Sequence, residues 1–238
     1  MLSQIIELNH FLPEICLHNC RDMKHIDLQA NKDTQFTTMV LGITLAIAGG
    51  HHGFFEILQG NIPTASFLIQ SIGPEQQFWI HGSDEAITII PNFLTTGILA
   101  LLTGISIVVV CLFYLKYRKV SRVLLILFIL LTLFGGGIGH IPFFLMVWAF
   151  SRYLTGDLPL WGASLKGRFS KILSKCWPYL LFISSISFLI GLEISIFGFV
   201  PGLTDPDRIL MVCWAFLAVS LFFMPLTYVA AIIRDFQT

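Results

Sequence analysis

Charged residues are scarce in this sequence of 238 residues. Lys, Arg, Asp and Glu together make up 12% of the chain, whereas soluble domains are close to a quarter charged. Hydrophobic residues make up 55% of the chain, and the mean hydropathy is +0.81. This composition predicts that lipid, and not water, is the main solvent of the folded chain.

The sequence also lacks an excess of basic residues and the short motifs of common cofactor sites. Lys plus Arg and Asp plus Glu each total 14, so no basic excess is available to bind a phosphate backbone, and we expect no nucleic-acid partner. No P-loop, dinucleotide fingerprint or nucleophile elbow occurs. We therefore expect no cofactor and no metal, and the sequence names no catalytic residue.

Five apolar stretches are long enough to cross a bilayer, which takes about 20 residues. They are residues 36–58, 92–115, 123–151, 178–201 and 209–233. The charged residues 1–35 are expected to form a cytoplasmic N-terminal segment, followed by a single transmembrane domain over residues 36–238.

The distribution of basic residues predicts the orientation of these stretches. No Lys or Arg occurs between Phe36 and Leu115. Because basic residues near helix ends are retained in the cytoplasm, the loop 59–91 is expected to be extracytoplasmic and the N-terminus cytoplasmic. The protein is therefore expected to be a multi-pass protein of the cell membrane.

The third stretch, residues 123–151, can cross the bilayer once or fold back. A single crossing places eight of the fourteen Lys and Arg residues inside and six outside, whereas folding back places thirteen inside and one outside. Four of the five residues Gly135–Gly139 are glycine and Pro142 follows, which favours a break between two half-helices of about 18 Å. Residues 152–176 then form a cytoplasmic amphipathic segment with one apolar and one basic face.

The predicted fold class is an all-α polytopic membrane helix bundle. It has about four full spans plus a glycine-broken re-entrant or short helical hairpin, whose irregular backbone must be buried in protein or line a wet cavity. The alternative is five single spans, in which the glycines allow close helix packing.

A few polar residues inside or beside the apolar stretches mark candidate functional positions, since ionisable groups are costly in a bilayer. At about 1.5 Å per residue from the cytoplasmic ends, His52, His140 and Glu193 lie at similar depths of about 20–22 Å. Glu56 shares a helix face with His52, and Asn92 begins the next helix at the same level. These five residues are the predicted ligand-binding or proton-handling site, with a structural or interface role as the alternative for the two histidines and the two glutamates. Glu193 is expected to face the bundle interior, because a charge in hydrocarbon is costly.

His52 and Glu56, with three residues between them on an early apolar helix, resemble the emopamil-binding family of sterol isomerases. The resemblance covers one helical turn. It implies an acid pair that handles a proton at a lipid double bond, with another carboxylate on the following membrane helix. In this sequence the segment after Pro91 offers Asn92, Thr95 and Thr96 in place of that carboxylate.

Three classes of function are compatible with the sequence. The first is a membrane protein that binds or transports a small or lipid-like ligand at an intramembrane His/Glu site. The second is an intramembrane acid/base enzyme, similar to an isomerase, that acts on a lipid or isoprenoid. The third is an accessory subunit of a membrane complex, whose polar groups fasten its helices together. The expected partners are the lipid bilayer, a small-molecule or lipid ligand, and another membrane protein or a second copy of the chain.

Overall fold

The computed structural model describes residues 31–155, 158–159 and 167–237. In these residues the chain is an all-α bundle, as predicted, with helices α1 (Lys32–Leu58), α2 (Phe93–Phe113), α3 (Val120–Leu133), α4 (Ile141–Ser151), α5 (Arg168–Phe197) and α6 (Pro206–Asp235). Helices α1, α2, α5 and α6 are long and apolar enough to cross a membrane, whereas α3 and α4 are shorter. This arrangement is compatible with an integral membrane protein. The predicted N-terminal segment lies almost entirely outside the described residues.

The bundle has two ends. We call the end at which residues 59–92 connect α1 to α2 the loop end, and the other the opposite end. At the loop end, the indole N–H of Trp79 donates a hydrogen bond to the carbonyl of Ser195 near the end of α5, over 2.9 Å. Residues 135–139, which we call the glycine-rich turn, connect α3 to α4 and also lie at the loop end.

Helices α3 and α4 form a short hairpin. They have 14 and 11 residues, or about 21 and 17 Å at the helical rise, which is less than the hydrocarbon core of a bilayer, about 30 Å. Gly135 and Gly137 in the turn have φ of +95° and +84°, values that glycine adopts without strain. Pro142 stands in the first turn of α4, where no backbone hydrogen bond is lost. The predicted glycine-broken hairpin is therefore confirmed.

The segment between α1 and α2 folds down onto this hairpin. Its two strands, β1 (Leu68–Gln70) and β2 (Glu85–Ile87), pair antiparallel. At the end of β2, the carbonyl of Ile87 accepts a hydrogen bond from the N–H of Gly135 over 2.9 Å. The segment thus fills the space that the short hairpin leaves at the loop end, and it brings polar side chains against α1.

Helix α5 is longer than the predicted span. It begins at Arg168 and continues through Pro178 to Phe197 as one helix of 30 residues. Residues 168–176, predicted to belong to an amphipathic segment, are its first turns, and residues 160–166 of that segment lie outside the described residues. The predicted depth of Glu193 was counted from a helix start near residue 178 and is consequently too small.

Asp235 joins the helices at the opposite end. Its carboxylate accepts hydrogen bonds from the backbone N–H groups of Asp33 and Thr34, both over 2.9 Å, and from the Thr34 hydroxyl over 2.6 Å. These bonds satisfy donors that the first turn of α1 leaves unpaired. Arg234 lies 3.0 Å from the Asp33 carboxylate and 5.0 Å from the ring centre of Trp177. The end of α6 therefore holds the starts of α1 and α5 in place.

Candidate functional site

His52 is the centre of a polar cluster at the loop end. It lies six residues, or about 9 Å, before the end of α1, and 5% of its side chain is exposed. Its Nδ1 is 2.7 Å from Ser71 Oγ, and its Nε2 is 3.6 Å from Asp84 Oδ2. Ser71 directly follows β1 and Asp84 directly precedes β2, so the pairing of the two strands brings both residues to the histidine.

The hydrogen bonds of Ser71 indicate which nitrogen of His52 carries hydrogen. Ser71 Oγ is 2.8 Å from the carbonyl oxygen of Asp84 as well as 2.7 Å from His52 Nδ1, and a hydroxyl has one hydrogen to donate. Both contacts are satisfied when Ser71 donates to the carbonyl and His52 Nδ1–H donates to Ser71. Assigned in this way from the network, His52 Nε2 faces the Asp84 carboxyl. At 3.6 Å a bare nitrogen and a charged carboxylate repel each other, so a proton on either group is favoured.

Asp84 connects this buried cluster to the surface. Its side chain is 48% exposed, yet the protein around the carboxyl removes enough water to raise the pKa of Asp84 above its ordinary value of 3.8, an effect that the nearby His140 opposes. Asp84 therefore keeps a proton at a higher pH than a free aspartic acid does. This agrees with a proton on the Asp84 carboxyl where it faces His52.

His140 follows the glycine-rich turn and stands against His52. The two ring centres are 5.0 Å apart and the ring planes are perpendicular. The Nδ1–H of His140 donates to the carbonyl of Gly136 over 2.9 Å. A Cβ on Gly137 would lie 2.7 Å from His140 Nδ1 and 2.7 Å from His52 Cε1. The absence of a side chain at Gly137 is therefore what lets the backbone approach both rings.

Glu56 lies one turn after His52 on α1 and is fully buried. A Cβ on Gly135 would overlap the Glu56 carboxyl, so this side chain also contacts the glycine-rich turn. Neither carboxyl oxygen has a hydrogen-bond partner among the described residues. A charged carboxylate without donors is costly to bury, so a proton or a cation is required to neutralise Glu56.

A small cavity lies beside His52. Its volume is about 10 Å³, room for about one water molecule. Within the described part of the chain, no three His, Cys, Asp or Glu side chains are placed to hold a metal ion. The residues around the cavity are His51, His52, Phe55, Ile72, Asp84, Ser195 and Ile196. In this conformation the cavity has room for a water molecule but not for a ligand of several heavy atoms.

Three of the five predicted site residues lie together. His52, Glu56 and His140 all contact the glycine-rich turn. Asn92 has a different part in the structure. Its side chain caps the start of α2 by accepting a hydrogen bond from the N–H of Thr95 over 3.1 Å, as helix N-cap residues commonly do.

Glu193 is exposed on the surface of α5, so the prediction that it faces the bundle interior beside His52 is wrong. It lies four residues, or about 6 Å, before the helix end at Phe197. A helix of 30 residues is about 45 Å long, which exceeds the hydrocarbon core of a bilayer, about 30 Å, so a residue near its end need not face hydrocarbon. No described residue forms a hydrogen bond or an ion pair with its carboxylate.

Ser71 and Asp84 complete the cluster without having been predicted as site residues. Asp84 is one of two consecutive acids in a loop that contains no Lys or Arg, which draws attention to the loop but not to a contact with His52. Ser71 lies between Gln70 and Ile72 and carries no signal in the sequence.

The chain shows no match to known proteins. No protein-family model matches it, and neither does any curated protein or any solved structure. The geometry around His52 is therefore the basis for a functional proposal.

Proposed function

We propose that this chain is an integral membrane protein that binds or transports a small ligand and couples this activity to proton binding at the loop end. The observation that carries the proposal is that His52 Nε2 faces the Asp84 carboxyl at 3.6 Å while the two short contacts of Ser71 keep hydrogen on His52 Nδ1. One titrating proton at this pair is what we infer from it. The absence of Lys and Arg from residues 59–91 supports an extracytoplasmic loop end. The proton then comes from the outside, through the half-exposed Asp84.

Loss of this proton would loosen the segment between α1 and α2. Without it, the nitrogen of His52 opposes the Asp84 carboxylate, and the attraction that holds Asp84 against α1 is lost. The cavity beside His52 is too small for a ligand of several atoms, so binding requires this segment to move. Protonation and ligand binding are thereby coupled, because each favours a different position of the same segment. Movement of the segment would uncover the buried carboxyl of Glu56.

Native mass spectrometry of the purified protein at acidic and neutral pH tests the proposal. The wild type is expected to carry a small molecule whose occupancy changes with pH, and Asp84→Asn is expected to remove that change. Glu85→Gln is the matched control, because Glu85 is the exposed neighbour of Asp84 in the same loop. An unliganded protein at both pH values, or an unchanged pH dependence in Asp84→Asn, contradicts the proposal. A co-purified membrane protein without a ligand would favour an accessory subunit.

A groove between α3 and α4 supports a second candidate, an acid/base enzyme that acts on a lipid or isoprenoid. Its volume is about 180 Å³. The groove is next to the site, since the ring centre of Phe144 in its wall is 6.0 Å from that of His140. Its lining is almost wholly apolar: Leu125, Phe128, Ile129, Thr132, Leu133, Ile141, Phe144 and Leu145. Incubation with a lipid extract in detergent tests this activity, with a product expected from the wild type and none from Glu56→Gln.

A further inference from the structure

Helices α5 and α6 pack side by side in opposite directions. The thiol of Cys213 on α6 donates to the carbonyl of Gly191 on α5 over 3.3 Å, so these two residues lie at the same level. Seven residues along a helix is close to two full turns and returns to nearly the same face. Ser184 and Ser220 each lie seven residues from this pair, toward the opposite end. They therefore lie at one level, on the same line of contact between the helices.

The hydroxyls of these two serines are buried without a partner. Both side chains are 0% exposed, and neither oxygen has a hydrogen-bond partner among the described residues. Thr132 and Thr227, by contrast, donate to the carbonyl four residues earlier in their own helices. Buried hydroxyls are normally satisfied by protein or by ordered water. Two hydroxyls that lie at one level without reaching each other are well placed for a bridging water.

Phe188 separates this level from the cluster at the loop end. It lies one turn after Ser184 on α5 and is 1% exposed. Its ring centre is 5.7 Å from that of His140 and 4.8 Å from that of Phe143. Along the direction of α5, His140, the Phe188 ring and the level of the two serines thus follow one another. An aromatic hydrocarbon ring has no atom that accepts a proton and passes it on, so Phe188 blocks transfer between the two polar levels.

Buried polar groups continue on the other side of the serine level. The Tyr228 hydroxyl is fully buried beside the Thr38 side chain of α1. It lies eight residues, or about 12 Å, beyond Ser220 on α6. At the end of the same helix the Asp235 carboxylate accepts the hydroxyl of Thr34 over 2.6 Å. Buried hydroxyl groups therefore occur at intervals from the middle of the bundle toward the opposite end, and water has to join them into a path.

We propose that Ser184 and Ser220 hold a bridging water that extends a proton path through the bundle, and that Phe188 is the barrier between this water and His140. The inference rests on the proposed proton binding at His52 and Asp84. Along such a path each hydroxyl or water oxygen accepts one proton and releases another, so no charge remains on a serine. Removal of the Phe188 ring is expected to join the two polar levels and to let protons cross.

Proton flux into proteoliposomes that contain a pH-sensitive dye tests this inference, with a membrane potential set by potassium and valinomycin. Phe188→Ala is expected to raise the flux several-fold above that of the wild type. The control Phe182→Ala removes the same ring from an exposed position of the same helix and is expected to leave the flux unchanged. Adding Ser184→Ala and Ser220→Ala to Phe188→Ala is expected to restore the wild-type flux.

Two results would overturn the inference: an unchanged flux in Phe188→Ala, or a raised flux that persists after both serines are removed. The second result would indicate a general leak. Phe188→Leu leaves a smaller cavity and is measured in parallel, with circular dichroism of each variant, so that an unfolded alanine variant does not prevent a result. Titration of Asp84 by infrared spectroscopy separates this inference from the proposed function, because loss of the Phe188 barrier leaves that titration in place.

Discussion

Replacement of Gly137 by alanine tests whether the glycine-rich turn holds the two histidines together. At φ +84°, a residue with a side chain is strained by about 1–3 kcal/mol. The new Cβ would also lie 2.7 Å from atoms of both His140 and His52, and such overpacking of a buried site costs about 1–3 kcal/mol. We therefore expect a destabilisation of about 2–6 kcal/mol. Gly60→Ala is the matched control, because Gly60 has φ +85° with no atom within 4 Å of an added Cβ. This variant is expected to be destabilised by the backbone strain alone.

Thermal unfolding of the purified protein in detergent measures this difference. In a chain of this size, a change of one kcal/mol shifts the Tm by about 2–4 °C. The overpacking at Gly137 is then expected to lower the Tm by about 2–12 °C beyond the effect of Gly60→Ala. Equal Tm values for the two variants would refute the reasoning, because they would mean that both rings can move away from the turn at no cost.

Three further variants test other parts of the account. Asp84→Asn is expected to flatten the pH dependence of stability. Because burial raises the pKa of Asp84, the wild type loses stability as the pH rises from 3.8 through the raised value. The amide of the variant does not titrate. Tm values of both proteins across this range provide the check. Asp235→Ala removes the acceptor for three donors at the start of α1 and is expected to cost about 1–3 kcal/mol, seen as a lower Tm. Glu193→Gln changes an exposed residue and is expected to alter stability by less than about 0.5 kcal/mol. A large fall in its Tm would show that the carboxylate is held by the bundle.

The short hairpin could be predicted because two independent features of the sequence agreed. The glycines of residues 135–139 allow backbone angles that other residues avoid, and the basic residues on either side belong to one side of the membrane only if the chain folds back. Both features depend on local chemistry and on counting. Neither requires knowledge of which helices pack together.

The start of α5 could not be predicted in the same way. The basic residues 168–176 are typical of a helix on a membrane surface, yet they continue directly into α5. In the structure Ser174 donates a hydrogen bond to the Gln237 side chain over 2.9 Å. This contact with the end of α6 joins residues far apart in the sequence. The wrong helix start led directly to the wrong depth for Glu193.

The candidate site was predictable only where its residues belong to one local pattern. His52 and Glu56 share a helix face four residues apart, and His140 directly follows the glycines. Ser71 and Asp84 reach His52 through the pairing of two strands of three residues each, and strands so short leave no pattern in the sequence. The proton site therefore depends on a long-range contact that only the structure reveals.

The hydrogen positions on His52 test the proposed proton site most directly. They can be measured by nitrogen NMR of protein labelled with ¹⁵N at histidine, with the His52 signals identified by their loss in His52→Gln. Hydrogen is expected on Nδ1, donated to Ser71, and a second proton at Nε2 or on the facing Asp84 carboxyl is expected to be lost as the pH rises. In Asp84→Asn this loss is expected to disappear. A bare Nδ1 with hydrogen on Nε2 would mean that Ser71 donates to His52 and that neutral His52 already points its own hydrogen at Asp84. No additional proton would then be needed between them, which would contradict the proposed proton site.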